Sequence, residues 1–175
     1  MTLVRIADTI DDLNRLIGSL LKWGLLLVVL LTAATAILRY AFNTGYPWLS
    51  EIGVWLNAMV FTLGAGWVLL EGGHVRVDLF YGRLGERGRA WVNLIGTLSL
   101  LYPMLLVLAL KSWPSIQRSW LQLEHSPTID GLPFMYLLKS CILGFCLLLA
   151  LQGLSLMCRS LLVLQSTKVG AYQHV

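Results

Sequence analysis

Residues 90–110 read AWVNLIGTLSLLYPMLLVLAL and contain no charged side chain. A helix of about 20 mostly apolar residues can cross the hydrocarbon core of a bilayer. Residues 23–38, 52–70 and 140–158 form three further uncharged runs. The first is the shortest, but Lys22 and Arg39 flank it, and their long stems can carry their charges outward to the membrane surface. Four membrane-crossing helices are therefore predicted, over approximately residues 20–41, 49–71, 90–112 and 136–160.

The composition agrees with a membrane protein. Of the 175 residues, 57% are hydrophobic and only 13% are charged, whereas a soluble domain carries about a quarter charged residues. We predict an all-α integral membrane protein that forms a single membrane domain over residues 1–175, with its longest outer loop at 113–135. The three cysteines all lie in the last run, which predicts packing residues rather than disulfides.

The distribution of Lys and Arg predicts the orientation. The N-terminal segment, the second loop and the C-terminal tail together hold nine of these residues, against four in the first and third loops. Positively charged loops stay in the cytoplasm. We therefore expect both termini and the second loop to be cytoplasmic and the first and third loops to be periplasmic. The net charge of +4 then reflects topology and attraction to anionic membrane lipids, and no nucleic-acid partner is predicted.

The segment before the first run shows helical periodicity. Apolar residues recur at helical spacing over residues 3–21 (Ile6, Ile10, Leu13, Ile17 and Leu20). Two interpretations stay open: an amphipathic helix lying in the membrane interface, or a cytoplasmic extension of a long first span. Three acids precede the apolar run, so a retained helix is expected rather than a signal peptide.

Two features of the spans bear on packing. Ala58, Thr62 and Gly66 recur at four-residue spacing in span 2, and small residues on one face let another helix approach closely. We therefore predict a helix-packing face at these three positions. Pro103 predicts a kink in span 3.

No catalytic, metal or cofactor site is predicted. A haem or metal site in a bundle needs His or carboxylates that face one another from the spans, yet all three histidines lie outside the uncharged runs. P-loop, HExxH and GxSxG motifs are absent from the sequence. A transport site would place an acid in mid-span, and the nearest acid, Glu51, lies at a helix start. Two alternatives to a non-enzymatic subunit are a stand-alone small transporter or channel, which Glu51 and Asn57 favour, and a four-helix membrane redox enzyme.

The densest polar stretch is EGGHVRVD at 71–78. His74 and Asp78 would share one helical face, but the two glycines and the alternation of apolar and polar residues favour an irregular segment. We predict a structural polar corner, formed by His74, Arg76 and Asp78, that ends span 2. A second polar corner is predicted at the other end of that span, where Arg39 and Glu51 flank the first loop.

Four ordered stretches resemble one family. They are LRYAFN at 38–43, WLSE at 48–51, FTLGAGWVLLEGGHVRVD at 61–78 and EHSPTIDGLPFMYLLKSCILGFCLLLALQG at 124–153. Together they resemble the DctQ-like small membrane subunit of tripartite ATP-independent periplasmic (TRAP) transporters, over about residues 16–160. The chain differs at Ser50, where members often carry a second acid, and at Glu71-Gly72, where many carry a basic residue.

The resemblance implies a function. Such transporters use a sodium gradient to take up small organic anions, such as carboxylates or sulfonates, across the inner membrane of bacteria or archaea. A periplasmic solute-binding protein delivers the solute to a large DctM-like subunit, which moves it by an elevator motion. The small subunit is a stationary scaffold for that large subunit. We also expect Glu124, His125 and Asp130 in the third loop to be exposed, where they could help to dock the binding protein.

Overall fold

The computed structural model describes residues 2–72, 84–128 and 130–171, and in them it contains helices and no strand. We number the helices α1 (Thr2–Ala41), α2 (Pro47–Leu70), α3 (Glu86–Leu121) and α4 (Met135–Ala171). Each contains a segment long and apolar enough to cross a membrane. The predicted all-α architecture with four spans is therefore confirmed. The predicted polar corner at His74, Arg76 and Asp78 lies outside the described residues.

Contacts between the helices give an up-and-down order. Gly18 of α1 faces Trp67 of α2, and Gly24 faces Val60, so these two helices are antiparallel. The Tyr102 hydroxyl of α3 donates to the Ala150 carbonyl of α4 at 3.1 Å. Thr97 of α3 also lies beside Gly153 of α4, and Leu105 lies beside Cys146, so α3 and α4 are antiparallel. Asp11 of α1 accepts a hydrogen bond from Arg159 of α4, so the start of α1 and the end of α4 share one end of the bundle, which we call the terminal end. The opposite end, with the α1–α2 and α3–α4 connections, is the loop end.

Helix α1 is continuous over 40 residues, which corresponds to about 60 Å, or twice the thickness of a bilayer core. Residues 3–21 therefore extend the first span, as the second of the two interpretations expected. The side chains of Ile6, Leu13 and Leu20 are exposed, whereas Asp11 and Asn14 are buried. The face that packs against the protein is therefore mixed, since Ala7 and Ile10 are buried beside the two polar residues and Asp8 is exposed.

Helix α3 is irregular near Pro103, the first of its two prolines. Residues Thr97–Leu101 form a π turn immediately before the segment that begins Tyr102-Pro103. Proline lacks an N–H and its ring clashes with the carbonyl four residues earlier, which here lies within the π turn. The wider turn accommodates Pro103 and presents Thr97 and Leu101 to Gly153 of α4.

The apolar core lies mainly between α3 and α4. Leu105, Cys146 and Leu149 form a buried cluster. All three cysteines are free, and Cys146 and Cys158 are buried, in agreement with their predicted role as packing residues.

Candidate functional site

The densest group of buried polar side chains joins the first helix to the last at the terminal end. We call it the α1–α4 polar cluster. Four of its members expose 4% of their surface or less. It consists of Asp8, Asp11 and Asn14 from α1, and of Gln152, Ser155 and Arg159 from α4.

Hydrogen bonds run continuously through this cluster. Asn14 Nδ2 donates to Gln152 Oε1 at 2.8 Å, and Gln152 Nε2 donates to Asp11 Oδ1 at 2.9 Å. The Ser155 hydroxyl donates to the same Asp11 oxygen at 2.6 Å. Arg159 Nε donates to Asp11 Oδ2 at 3.0 Å, so both oxygens of the buried carboxylate are satisfied and its charge is paired. A buried carboxylate needs such partners because its desolvation is costly.

Gly66 of α2 completes the junction of three helices. A Cβ atom at this position would lie 2.2 Å from Asn14 Oδ1 and 3.2 Å from the backbone oxygen of Leu148 in α4. The absence of a side chain lets α2 approach both α1 and α4. Of the three residues predicted to form a packing face, Gly66 is buried, whereas Ala58 and Thr62 are half-buried. The Thr62 hydroxyl donates to the Ala58 carbonyl at 2.7 Å, within α2.

At the loop end, Glu51 anchors the α3–α4 connection to the first turns of α2. Its Oε2 accepts hydrogen bonds from the Leu132 N–H at 2.8 Å and from the Thr128 hydroxyl at 3.2 Å. The Ser126 hydroxyl donates to Oε1. One carboxylate thus holds three points of a connection that lies about 80 residues away along the chain.

Arg39 and Glu51 flank the first loop, where a polar corner is predicted. Both residues are described, and no ion pair joins them. Arg39 instead lines a cavity between α1 and α2, together with Ser50 and Gly53. Successive helical residues are about 100° apart. Glu51, which follows Ser50, therefore points away from that cavity and toward the α3–α4 connection.

Glu124 is also committed to the fold. Lys139 of α4 donates to its carboxylate, and this hydrogen bond lowers the pKa of Glu124 below its usual range. His125 and Asp130 are exposed. Asp130 has a φ of 61°, a left-handed conformation that Asp and Asn adopt more readily than most residues. Of the three residues predicted for docking, Glu124 is therefore engaged within the protein and the other two face outward.

The comparison with family models decides which family this is. The model for the DctQ component of tripartite ATP-independent periplasmic transporters matches residues 28–163, more than three quarters of the chain. The chain belongs to the DctQ family. It is thus the small membrane component of a TRAP transporter, a multi-pass membrane protein from a family of transport components rather than enzymes. No curated protein and no solved structure gives a match.

The family model covers only one half of the α1–α4 polar cluster in this DctQ protein. Gln152, Ser155 and Arg159 lie inside the matched range, whereas Asp8, Asp11 and Asn14 precede it. Sequence reasoning missed the cluster because it treated the three N-terminal acids as evidence on signal peptides and Arg159 as the boundary of a span. The available signal was the spacing of three or four residues within each set, which puts each set on one helical face.

Among the described residues of this DctQ protein, no group of three or more His, Cys, Asp and Glu side chains is arranged to hold a metal ion. The α1–α4 polar cluster and the Glu51 anchor instead connect segments that are distant in the chain. They lie at opposite ends of the bundle. The cluster joins α1 to α4, and the Glu51 anchor joins α2 to the α3–α4 connection. Both sites therefore stabilise contacts between helices.

Proposed function

We propose that this DctQ protein is the stationary scaffold subunit of a sodium-driven TRAP transporter that takes up a small organic anion, a carboxylate or a sulfonate, through the inner membrane of a bacterium or archaeon. The proposal rests on one observation: contacts between distant segments of the chain hold the helices together at both ends of the bundle. The α1–α4 polar cluster joins its first and last helices, and the Glu51 carboxylate holds the α3–α4 connection. A scaffold needs this rigidity if a DctM-like subunit is to move solute against it.

The surface of the bundle supports the same role. Trp23, Phe61 and Leu100 each expose 70% or more of their surface, and they lie on three different helices. Such side chains suit contact with lipid or with the apolar surface of a large membrane subunit. The polar side chains of the bundle interior are used to join its own helices, which favours a subunit that depends on a partner for the transport step.

The scaffold role predicts that the chain copurifies with its DctM-like subunit and transports nothing alone. Proteoliposomes that contain both membrane subunits, with the binding protein outside, should accumulate labelled organic anion under an inward sodium gradient. Liposomes that contain only this chain should remain at the level of empty liposomes. Collapse of the gradient with a sodium ionophore is the control for coupling. Sodium-driven uptake by the chain alone would overturn the scaffold role and establish the stand-alone transporter.

We also propose that the exposed part of the third loop contributes to docking of the binding protein. Glu124 is unsuitable for the test, because a lysine there would face Lys139 and disturb the loop itself. Asp130→Asn is cleaner, since asparagine tolerates the left-handed backbone. Rim charges act mainly on association rates, so we expect about a threefold slower uptake at limiting binding protein.

Glu71→Gln is the matched control for Asp130→Asn. Glu71 is also exposed but lies at the terminal end, so its loss should leave uptake unchanged. Copurification with the large subunit should be intact in both variants. Equal uptake by wild type and Asp130→Asn across binding-protein concentrations would remove the docking role while leaving the scaffold role untouched.

A further inference from the structure

We propose that the loop end of this chain binds one anionic phospholipid, with an acyl chain in the groove between α1 and α2 and the lipid phosphate at Arg39. The groove is a cavity of about 510 Å³. Its walls come from α1 and α2 alone. They run from Val28 to Tyr40 on α1 and from Leu49 to Asn57 on α2.

The groove exists because α1 and α2 pack closely only in their terminal halves. There, a Cβ on Gly18 would lie 2.4 Å from the Trp67 ring, and one on Gly24 would lie 2.9 Å from Val60. About two turns farther toward the loop end, Gly53 has no atom within 4 Å of the position where its Cβ would be. The two helices therefore separate beyond Val60, and the space between them opens.

The shape of the groove fits a hydrocarbon chain and not a helix. From Val28 to Arg39 it follows α1 for about 17 Å, at 1.5 Å per residue. A volume of about 510 Å³ over that length gives a mean cross-section of about 30 Å². A helix with a diameter of 10–12 Å needs at least about 80 Å². The groove is thus narrower than a helix, and its width suits a single extended acyl chain.

The lining of the groove is mainly apolar, and two of its hydroxyl groups are hydrogen-bonded within α1. The Thr32 hydroxyl donates to the Val28 carbonyl at 2.8 Å, and the Thr35 hydroxyl donates to the Leu31 carbonyl at 2.7 Å. Both threonines therefore use their hydroxyl donors within α1, and these donors need no partner in the groove. A hydrocarbon chain can lie against them without leaving a donor unsatisfied.

Arg39 supplies the charge that selects an anionic lipid. Its side chain is exposed at the loop end of the groove, and it forms no ion pair within the described residues. A guanidinium is always charged, and its planar set of donors matches the oxygens of a phosphate. The neighbouring Tyr40 is 86% exposed, as expected for an aromatic residue at the level of the headgroups. Phosphate recognition and the acyl groove are thus adjacent.

The test is native mass spectrometry of the full chain, released from mixed micelles that contain phosphatidylglycerol and phosphatidylcholine in equal amounts. We expect one bound lipid per chain and about a tenfold preference for phosphatidylglycerol, because both lipids offer Arg39 a phosphate but the choline cation of phosphatidylcholine cancels that negative charge. Arg39→Gln should abolish the preference, and Arg39→Lys should keep most of it. Gly53→Leu, which fills the groove, should remove both lipids.

Two matched variants complete the design. Lys111→Gln removes another exposed cation, and Gly96→Leu adds the same side chain to a helical glycine whose Cβ would also meet nothing within 4 Å. Neither residue lines the groove, so both variants should bind lipid like the wild type. Unchanged binding in Gly53→Leu, or unchanged preference in Arg39→Gln, would overturn the proposal. Copurification with the large subunit is measured separately, and its loss in Gly53→Leu with lipid binding unchanged would assign the groove to a protein partner and would also overturn the proposal. Because lipid binding is measured on the chain itself, failure here leaves the scaffold role standing.

Discussion

Replacing Asp11 with alanine should lower the free energy of unfolding by about 3 kcal/mol, which is the cost of leaving buried donors without their acceptor. The Gln152 amide and the Ser155 hydroxyl both donate to Asp11 and are almost fully buried. Arg159 contributes less, because its side chain is 50% exposed and water can replace the lost carboxylate. The readout is unfolding in mixed micelles, followed by far-UV circular dichroism.

Asp12→Ala is the matched control for this prediction. Asp12 is the next residue in the chain and also faces an arginine, Arg15 at 3.6 Å, but both side chains are largely exposed. Exposed pairs of this kind contribute little, so the change should stay within about 0.5 kcal/mol. Asp11→Asn should fall between the two, since it keeps an acceptor and the volume but loses the charge. Equal stability of Asp11→Ala and Asp12→Ala would show that the α1–α4 polar cluster does not fasten the bundle.

The number and placement of the spans could be predicted because a bilayer leaves few choices. Backbone polar groups in hydrocarbon must be satisfied within the segment, so a long uncharged run can only become a helix. Residues 90–110 needed no tertiary information to be recognised. The common location of the two chain ends followed from four spans. The cytoplasmic location of the terminal end stays a prediction, which rests on the distribution of Lys and Arg.

Contacts between helices could not be predicted in the same way. Periodicity places Asp11 and Asn14 on one face and Gln152, Ser155 and Arg159 on another, but it does not say that these faces meet across about 140 residues of chain. The same limit applies to the polar corner predicted from Arg39 and Glu51. Proximity along the chain favoured it, whereas the rotation of α2 about its axis turned Glu51 toward Leu132.

The sequence predicts that glycines in the spans allow close helix packing, but it does not predict which glycines do so. Spacing favoured Ala58, Thr62 and Gly66, yet the glycines in close interhelical contact also include Gly18, Gly144 and Gly153. Their partners are large side chains on the facing helices: Trp67 for Gly18, and Leu63 for Gly144. Whether a glycine marks a contact therefore depends on which atoms the facing helix places against it, and the sequence of one helix does not show this.

Gly66→Ala should destabilise the bundle by about 2 kcal/mol, although alanine is the better helix former. The added Cβ would lie 2.2 Å from Asn14 Oδ1, and overpacking of this kind costs about 1–3 kcal/mol. Asn14 cannot simply rotate away, because it is fully buried and its Nδ2 donates to Gln152. Gly53→Ala on the same helix meets no atom, so there the gain of up to about 1 kcal/mol in helix propensity should prevail. The two substitutions should shift the unfolding midpoint in opposite directions.

Coupling with Asn14 separates this clash from a general effect of the substitution. Asn14→Ala removes the atom that a Cβ on Gly66 would strike, and it leaves Gln152 Oε1 without its donor. Gly66→Ala should therefore cost less in the Asn14→Ala background than in the wild type, with a coupling of at least about 1 kcal/mol for residues in direct contact. Additive effects in this double-mutant cycle would mean that α2 is not held against the α1–α4 polar cluster at Gly66. A clear coupling would identify that contact as the point where three of the four helices lock together.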